Sequence, residues 1–169
     1  NMPGQPSDRR IHLVSNPSTI QINEVTIGFT STDALFHLST ESVNHKLPPG
    51  SRLTRLAEHF VKQQNYYPIF PPPSAPGREI NLDVTKRDAY AMPVQPDVLI
   101  LPSRLMSTAM DIVGGTTVIN PGHLVKGSMG GSFAVMEIHP IDQDKLEGDG
   151  DEGIGHDIKD RIRVEVRRI

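Results

Sequence analysis

The sequence predicts a mixed domain of the α/β or α+β class, in which short strands are interspersed with helices. Apolar and polar residues alternate over 19–29, which is typical of strands with one buried face. Residues 51–64 carry one apolar stripe at helical spacing, which predicts an amphipathic helix. The run Val98-Leu99-Ile100-Leu101 is apolar throughout and stops at Pro102, which indicates a strand covered on both faces.

Length and composition limit the classes of protein to which the chain can belong. Its 169 residues have the usual size of one domain, and a hydrophobic fraction of 36% favours a globular protein over a disordered one. The 14 glycines and 15 prolines predict many short elements joined by turns. Cysteine is absent, which excludes disulfides and thiolate metal sites.

Charge and hydropathy restrict the partners. The formal net charge is -3, whereas nucleic-acid-binding domains usually carry a basic field that neutralises phosphates. We therefore expect little direct binding to nucleic acid. No apolar run approaches the roughly 20 residues that a membrane helix needs, so no membrane partner is expected.

The first elements are a hairpin and a short helix. Two strands over 19–29 are joined by a tight turn at Asn23-Glu24. The cluster Ser31-Thr32-Asp33 then offers N-capping side chains for a helix. That helix carries Ala34, Leu35 and Leu38 on its apolar side.

The clearest helix begins after Pro48-Pro49-Gly50, with Ser51 as its predicted cap, and extends to about Gln64. Residues 66–77 hold five prolines and cannot form regular structure. The aromatic residues of this segment favour a packed loop over a mobile linker. The apolar stripe of the helix consists of Leu53, Leu56, Ala57, Phe60 and Val61.

The second half predicts one more helix and several strands. The spacing of Leu105, Ala109, Met110 and Val113 favours a helix that ends at Gly114-Gly115. Strands are predicted at 117–119, 133–138 and 161–167, and a glycine-rich turn region at 120–131. Residues 142–157 are acidic with almost nothing to bury, which predicts a surface loop.

Motifs for metal, nucleotide or nucleophilic chemistry are missing. The seven histidines are scattered without the spacing of a ligand set, so surface or hydrogen-bonded histidines are the better interpretation. Residues 122–128 lack the order of a phosphate-binding loop, and 127–130 lack the spacing of a nucleophile elbow. The acidic cluster in 149–157 lacks the order of a calcium-binding EF-hand loop.

Four blocks of residues carry a resemblance to a known family. In order along the chain they are Asn16-Pro17 with Ile22-Asn23-Glu24-Val25, then residues 31–38, then Tyr66-Tyr67-Pro68 with Phe70-Pro71-Pro72, and finally Pro96 to Ser103 with Asn120 to Gly127 and Gly130 to Phe133. Each block alone is weak, but together they are specific. The chain resembles the regulatory, second-largest B subunit of eukaryotic DNA polymerase alpha–primase.

The resemblance implies a fold and a domain boundary. Such subunits carry a calcineurin-like phosphoesterase β-sandwich flanked by helices, with an OB-fold domain inserted or attached upstream. Residues 1–169 correspond to the C-terminal portion of that phosphoesterase domain, with 142–157 as an acidic surface loop. The upstream half of the domain, the OB domain and an N-terminal region are expected to be absent from this incomplete chain.

The resemblance also implies a lost active site. Active members of the superfamily hold two metals, and their last ligand motif, Gly-His-x-His, follows a strand that begins Pro-Asp. After Pro96-Asp97 this chain reads Pro102-Ser103-Arg104-Leu105 instead, and near Gly28-Phe29 an earlier metal histidine is also missing. We therefore expect no enzyme activity, no catalytic or metal-binding residue and no cofactor.

The implied function is that of a non-catalytic scaffold in the nucleus. Regulatory subunits of this family bind the C-terminal zinc domain of the catalytic subunit of DNA polymerase alpha, and through the complex they join primase and other replisome proteins during primer synthesis. Exposed aromatic residues of the proline-rich loop are the predicted partner-binding residues, because large rigid side chains dominate interface energetics. They are Tyr66, Tyr67 and Phe70.

Two alternatives stay open at this point. One is an active two-metal phosphoesterase or 3′-exonuclease whose remaining ligands lie upstream; it needs the histidine motif that residues 102–105 do not supply. The other is a nucleic-acid-binding module, which predicts salt-sensitive retention on a DNA column.

Overall fold

The computed structural model describes residues 11–43, 50–74, 80, 82–112, 114–141 and 157–169. Among these residues a five-stranded mixed sheet forms the central layer. Its strands are β1 (Ser18–Ile22), β2 (Val25–Phe29), β3 (Val98–Ile100), β4 (Thr108–Asp111) and β5 (Thr117–Asn120), in the spatial order β1-β2-β3-β5-β4. The inner pairs β2–β3 and β3–β5 are parallel, and both outer pairs are antiparallel.

Among the described residues, the remaining elements are two helices, two hairpins and two short 3-10 helices. They are the helices α1 (Ala34–Glu41) and α2 (Arg52–Lys62), the small hairpin β6 (Val125–Lys126) and β7 (Met129–Gly130), the longer hairpin β8 (Ser132–Ile138) and β9 (Ile162–Arg168), and two short 3-10 helices at Val84–Tyr90 and Ile158–Asp160. This architecture confirms the predicted mixed α/β class and is consistent with part of a phosphoesterase-like domain. Among the described residues, no helix has the length and apolar character needed to cross a membrane.

The two faces of the sheet bury different apolar clusters. On β3, Leu99 packs against the helices and the proline-rich loop, whereas its neighbour Val98 faces the β8–β9 hairpin. Successive strand residues point to opposite faces of the sheet, so the continuous apolar run of β3 reflects a strand that is buried on both faces. Both residues are fully buried, which confirms the prediction for this strand.

The predicted hairpin and both N-terminal helices are present. β1 and β2 pair antiparallel, and Asn23 takes φ 54 in the connecting turn. Asp33 caps α1, because its Oδ1 accepts a hydrogen bond from Phe36 N at 3.1 Å. Ser51 occupies the cap position of α2 but makes no side-chain capping bond. The buried residues of α2 belong to the predicted stripe: Leu56, Ala57, Phe60 and Val61.

The helix predicted around Leu105 to Val113 is wrong. Residues Thr108–Asp111 form strand β4, which pairs antiparallel with β5 so that Thr108 lies opposite Asn120. Ala109 and Asp111 are exposed while Thr108 and Met110 are half-buried, which is the period of an edge strand and not of a helix. Val113 lies outside the described residues.

The other strands agree with their predictions. β5 is buried along its whole length, β8 alternates half-buried and exposed residues, and β9 keeps Ile162, Val164 and Val166 half-buried. The glycine-rich region 120–131 contains the β6–β7 hairpin, which turns at Gly127 with φ 61. Of the acidic segment 142–157, residues 142–156 lie outside the described residues, and Asp157 is exposed.

Candidate functional site

The parallel strands β3 and β5 end at the same edge of the sheet, where the resemblance locates the degenerate phosphoesterase centre. Open sheets with parallel strands usually bind ligands outside the carboxyl ends of those strands. Here β3 continues into Ser103 and Arg104, and β5 ends at Asn120. The side chains at this edge therefore decide what chemistry it can support.

The side chain of Asn120 is fully buried and fully used in hydrogen bonds. Its Oδ1 accepts from Ser103 N and from Gly122 N, each at 2.9 Å. Its Nδ2 donates to Met106 O at 3.1 Å and to Leu105 O at 3.4 Å. An asparagine amide offers two acceptor and two donor positions, so nothing is left over for a ligand. The residue fastens the segment after β3 to the turn after β5.

Asp33 and Arg104 form a second fixed contact at this edge. Asp33 Oδ2 accepts from Arg104 N at 3.0 Å and from Arg104 Nε at 3.2 Å. The other carboxylate oxygen caps α1, and the guanidinium of Arg104 lies 4.4 Å from the ring centroid of Phe36. The carboxylate therefore neutralises an arginine and a helix terminus.

These residues do not fit a two-metal centre. Asp33 and Asn120 direct their oxygens at donors of the protein, so these oxygens are not available to bind a metal ion. The part of the chain that the structure describes holds no group of three His, Asp or Glu side chains that could bind a metal ion. Because His45 and His156 lie outside it, the absence of a histidine ligand set stays a prediction for the whole chain.

Tyr66 lies inside the protein against the first hairpin. Only 2% of it is exposed, and its hydroxyl donates to Ser18 O at 2.9 Å and lies 2.6 Å from Thr19 Oγ1. Burial raises the pKa of this phenol, although the hydrogen bond with Thr19 acts in the opposite direction. The position requires Gly28 on β2, because a Cβ there would lie 2.5 Å from the tyrosine hydroxyl.

Tyr67 joins the packing between the proline-rich loop and α1. It is 5% exposed, its hydroxyl lies 3.1 Å from His37 Nδ1, and its ring meets that imidazole edge-on. Tyr90 packs on the same ring with the centroids 6.5 Å apart. Burial raises the pKa of Tyr67 to about 12, with smaller contributions from the negative charge of Glu41 and from Tyr90.

The prediction of three exposed aromatic residues is therefore wrong for Tyr66 and Tyr67 and right for Phe70. Phe70 is 78% exposed. It lines a groove of about 550 Å³ together with Leu82, Val84 and Tyr90. The prediction that the loop 66–77 packs on the domain is confirmed as far as residue 74, and 75–79 lie outside the described residues.

The buried tyrosine predicts a measurable pH dependence. The folded chain keeps the proton of Tyr67 up to about pH 12, whereas the unfolded chain loses it near the ordinary pKa of 10.0. The resulting stabilisation is complete below pH 10 and is lost as the pH rises toward 12, so the free energy of unfolding is expected to fall across this window. Urea unfolding at about pH 9 and about pH 11 measures the decrease.

Tyr67→Phe is the control for this dependence. The variant removes the titrating hydroxyl, so its free energy of unfolding should fall less steeply with pH, even though it starts lower because the contact with His37 Nδ1 is lost. An unchanged slope in Tyr67→Phe would show that the alkaline loss comes from other groups.

Sequence reasoning missed the parts played by Asn120, Arg104 and Gly28. The capping bond of Asp33 is predictable from the sequence because its partner, Phe36, lies three residues away. The bond between Asp33 and Arg104 is not, because 71 residues separate the two. Asn120 gave one local signal, since an asparagine after a buried strand and before Pro-Gly is suited to a turn. Its contacts with the segment after β3 leave no trace in the sequence.

Residues 2–110 match the family of B subunits of DNA polymerase alpha/epsilon. The chain belongs to this family. The match includes the first three blocks that carried the resemblance and the start of the fourth, at residues 96–103. The resemblance stated from the sequence is thereby confirmed.

Curated relatives extend the likeness over most of the chain. The DNA polymerase alpha B subunit of Mus musculus is 35% identical over 147 residues, which cover 86% of this chain and 24% of that protein. The Rattus norvegicus protein of the same name is 39% identical over 126 residues, covering 74% and 20%. The Schizosaccharomyces pombe protein is 32% identical over 154 residues, covering 90% and 26%. The chain thus spans about a quarter of the length of the relatives it matches.

Proposed function

We propose that this chain is part of an accessory subunit of DNA polymerase alpha that acts in the nucleus as a non-catalytic scaffold. In this proposal the subunit binds the C-terminal zinc domain of the catalytic subunit and so connects it to primase and other replisome proteins during primer synthesis. The observation that carries the proposal is the family match over residues 2–110. Residues 1–169 are then the C-terminal portion of a degenerate phosphoesterase domain, and 142–157 are its acidic surface loop.

The geometry at the carboxyl ends of β3 and β5 supports a subunit without chemistry of its own. The oxygens of Asp33 and Asn120 are engaged in hydrogen bonds that hold the fold together, and the Asp33 carboxylate is already paired with Arg104. Restoring an active centre would require breaking these contacts. A hydrolytic function is therefore the weaker candidate for this edge.

The exposed ring of Phe70 supports a place for partner contact. A large aromatic side chain that is 78% exposed beside an apolar groove is a typical anchor for an interface. Tyr66 and Tyr67 contribute indirectly, because their buried rings fix the loop that presents Phe70. The proposed contact residue is thus Phe70, on a loop that the buried rings of Tyr66 and Tyr67 hold in place.

The test of this function is co-purification of the full-length subunit with the zinc domain of the catalytic subunit, together with a metal assay on the accessory subunit alone. A stable stoichiometric complex and a metal-free accessory subunit are expected. Two bound metal ions with phosphodiester hydrolysis, or no complex, would overturn the scaffold proposal.

Replacement of Phe70 by alanine is expected to weaken that complex by about tenfold or more, because truncation of an aromatic anchor removes more than about 1.4 kcal/mol. Isothermal titration with the zinc domain measures the change. Phe133→Ala is the matched control, because Phe133 is also exposed but lies on the outer side of the β8–β9 hairpin. If Phe70→Ala binds the zinc domain as tightly as Phe133→Ala does, Phe70 is not part of the interface.

A further inference from the structure

A second cleft lies beside the Asn120 contacts and shares no residue with the Phe70 groove. It encloses about 370 Å³ between the segment that follows β3, the β6–β7 hairpin and the end of β9. The glycines of the hairpin make this arrangement possible. A Cβ on Gly130 would lie 2.6 Å from Ile169 O, and a Cβ on Gly131 would lie 1.8 Å from His123 O. The glycine-rich block of the sequence thus builds one wall of the cleft.

The ionisable side chains that line this cleft are all basic. They are Arg104, His123, Lys126 and Arg168. Arg104 is paired with Asp33, but Lys126 and Arg168 make no ion pair within the described residues. In a chain whose formal net charge is -3, this cluster is a local positive site. Its charge favours an anionic ligand.

The rim of the cleft is apolar and exposed. Met106 is 73% exposed, Met129 is 69% exposed and Ile169 is 66% exposed. Met129 lies opposite Lys126 in the β6–β7 register, which places these two side chains on the same side of the hairpin. Clustered exposed aliphatic side chains around a cleft are typical of surfaces that bind other proteins. Methionine suits such surfaces because its flexible side chain adapts to the ligand.

The combination of charge and rim distinguishes a peptide from a nucleic acid. Single-stranded nucleic acids are usually held by aromatic side chains that stack on the bases, and the residues lining this cleft include no aromatic ring other than the His123 imidazole. An acidic peptide with interspersed apolar residues matches both features. Its carboxylates complement Lys126 and Arg168, and its apolar side chains cover the methionines.

We propose that this cleft binds an acidic, apolar-containing linear segment of a partner protein. Carboxylates of the segment pair with Lys126 and Arg168, and its aliphatic side chains pack on Met106 and Met129. The inference does not depend on the zinc domain or on Phe70, because the two surfaces have no residue in common. A Phe70 variant that loses the zinc domain is therefore expected to keep this binding.

The test uses the full chain and a fluorescein-labelled peptide of alternating glutamate and leucine, followed by fluorescence anisotropy. Two other ligands are measured for comparison: an isosteric peptide of alternating glutamine and leucine, and a labelled oligothymidylate. The acidic peptide is expected to bind more tightly than the neutral one, with an affinity that falls as salt is added. Equal affinity for both peptides, or preferential binding of the oligonucleotide, would overturn the proposal.

Charge-reversal variants locate the site. Lys126→Glu and Arg168→Glu are each expected to lower the affinity for the acidic peptide by about tenfold. Both residues are exposed, so the fold should tolerate the change. Lys86→Glu and Arg163→Glu carry the same charge changes on other surfaces and should leave the affinity unchanged. If the controls weaken binding as much as the cleft variants, the peptide responds to overall charge and the proposed site is wrong.

The apolar rim has its own pair of variants. Met129→Gln should lower the affinity for the acidic peptide. Met129→Leu should keep the affinity unchanged, because the side chain stays apolar and of similar volume. Unchanged binding in Met129→Gln would contradict the part of the proposal that gives the rim a role.

Discussion

Replacement of Asn120 by alanine is expected to lower the free energy of unfolding by about 3 kcal/mol. The change deletes an amide that is fully buried and makes four hydrogen bonds. Two backbone N–H groups then lose their acceptor: that of Ser103, which is fully buried, and that of Gly122, which is half-buried. A buried donor without a partner costs more than the net value of the bond that was lost, which is why the expected effect is large.

The matched control is Asn16→Ala. Asn16 also uses both ends of its amide, since Oδ1 accepts from Ser31 N at 2.9 Å and Nδ2 donates to Ser31 Oγ at 2.6 Å. It is exposed, however, so water replaces these bonds in the variant and the loss should stay below about 1 kcal/mol. Urea unfolding of the two variants compares the buried with the exposed amide, and equal losses would contradict the part assigned to burial.

Hydrogen exchange gives a second readout for Asn120. In the variant, the amides of Ser103 and Gly122 are expected to exchange faster, because each has lost its acceptor at 2.9 Å. The amides at the turn end of the β1–β2 hairpin, around the Ile22–Val25 pair, lie at the opposite edge of the sheet and should keep their protection unless the whole domain is destabilised. Unchanged exchange at Ser103 would show that another acceptor replaces the amide oxygen.

The elements predicted correctly are those whose signals are local and periodic. The hairpin over 19–29 combines alternation with a turn, and α2 carries an apolar stripe from Leu53 to Val61, so each pattern is long enough to determine the type of element. The four residues of β4 are too few for that. Leu105, Ala109 and Met110 match helical spacing, and only pairing with β5 shows that the segment is an edge strand.

The candidate site was predicted less well, because burial and side-chain partners depend on residues far apart in sequence. Tyr66 and Tyr67 look like Phe70 in the sequence, yet the first contacts Thr19 and the second contacts His37. These contacts span 47 and 30 residues. The resemblance supplied only the expected location of a degenerate centre, and the three-dimensional structure supplies the Asp33–Arg104 contact at that edge of the sheet.

Replacement of Gly28 by alanine is expected to lower the free energy of unfolding by about 3 kcal/mol through overpacking. The added Cβ would lie 2.5 Å from the Tyr66 hydroxyl and 3.3 Å from both Leu99 Cδ1 and Pro96 Cγ. The backbone of β2 cannot retreat easily, since β2 is paired on one side with β1 and on the other with β3. The tyrosine is held in turn by its bonds to Ser18 and Thr19.

The double variant Gly28→Ala/Tyr66→Phe tests this cause. Tyr66→Phe alone removes two hydrogen-bond contacts and should destabilise the protein, but it also removes the oxygen that the new methyl group meets. The cost of Gly28→Ala should therefore be smaller in the Tyr66→Phe background, with a coupling of about 1 kcal/mol or more between the two changes. If the two losses simply add in urea unfolding, the tyrosine hydroxyl is not what requires a glycine at position 28, and the contacts with Leu99 and Pro96 must account for it.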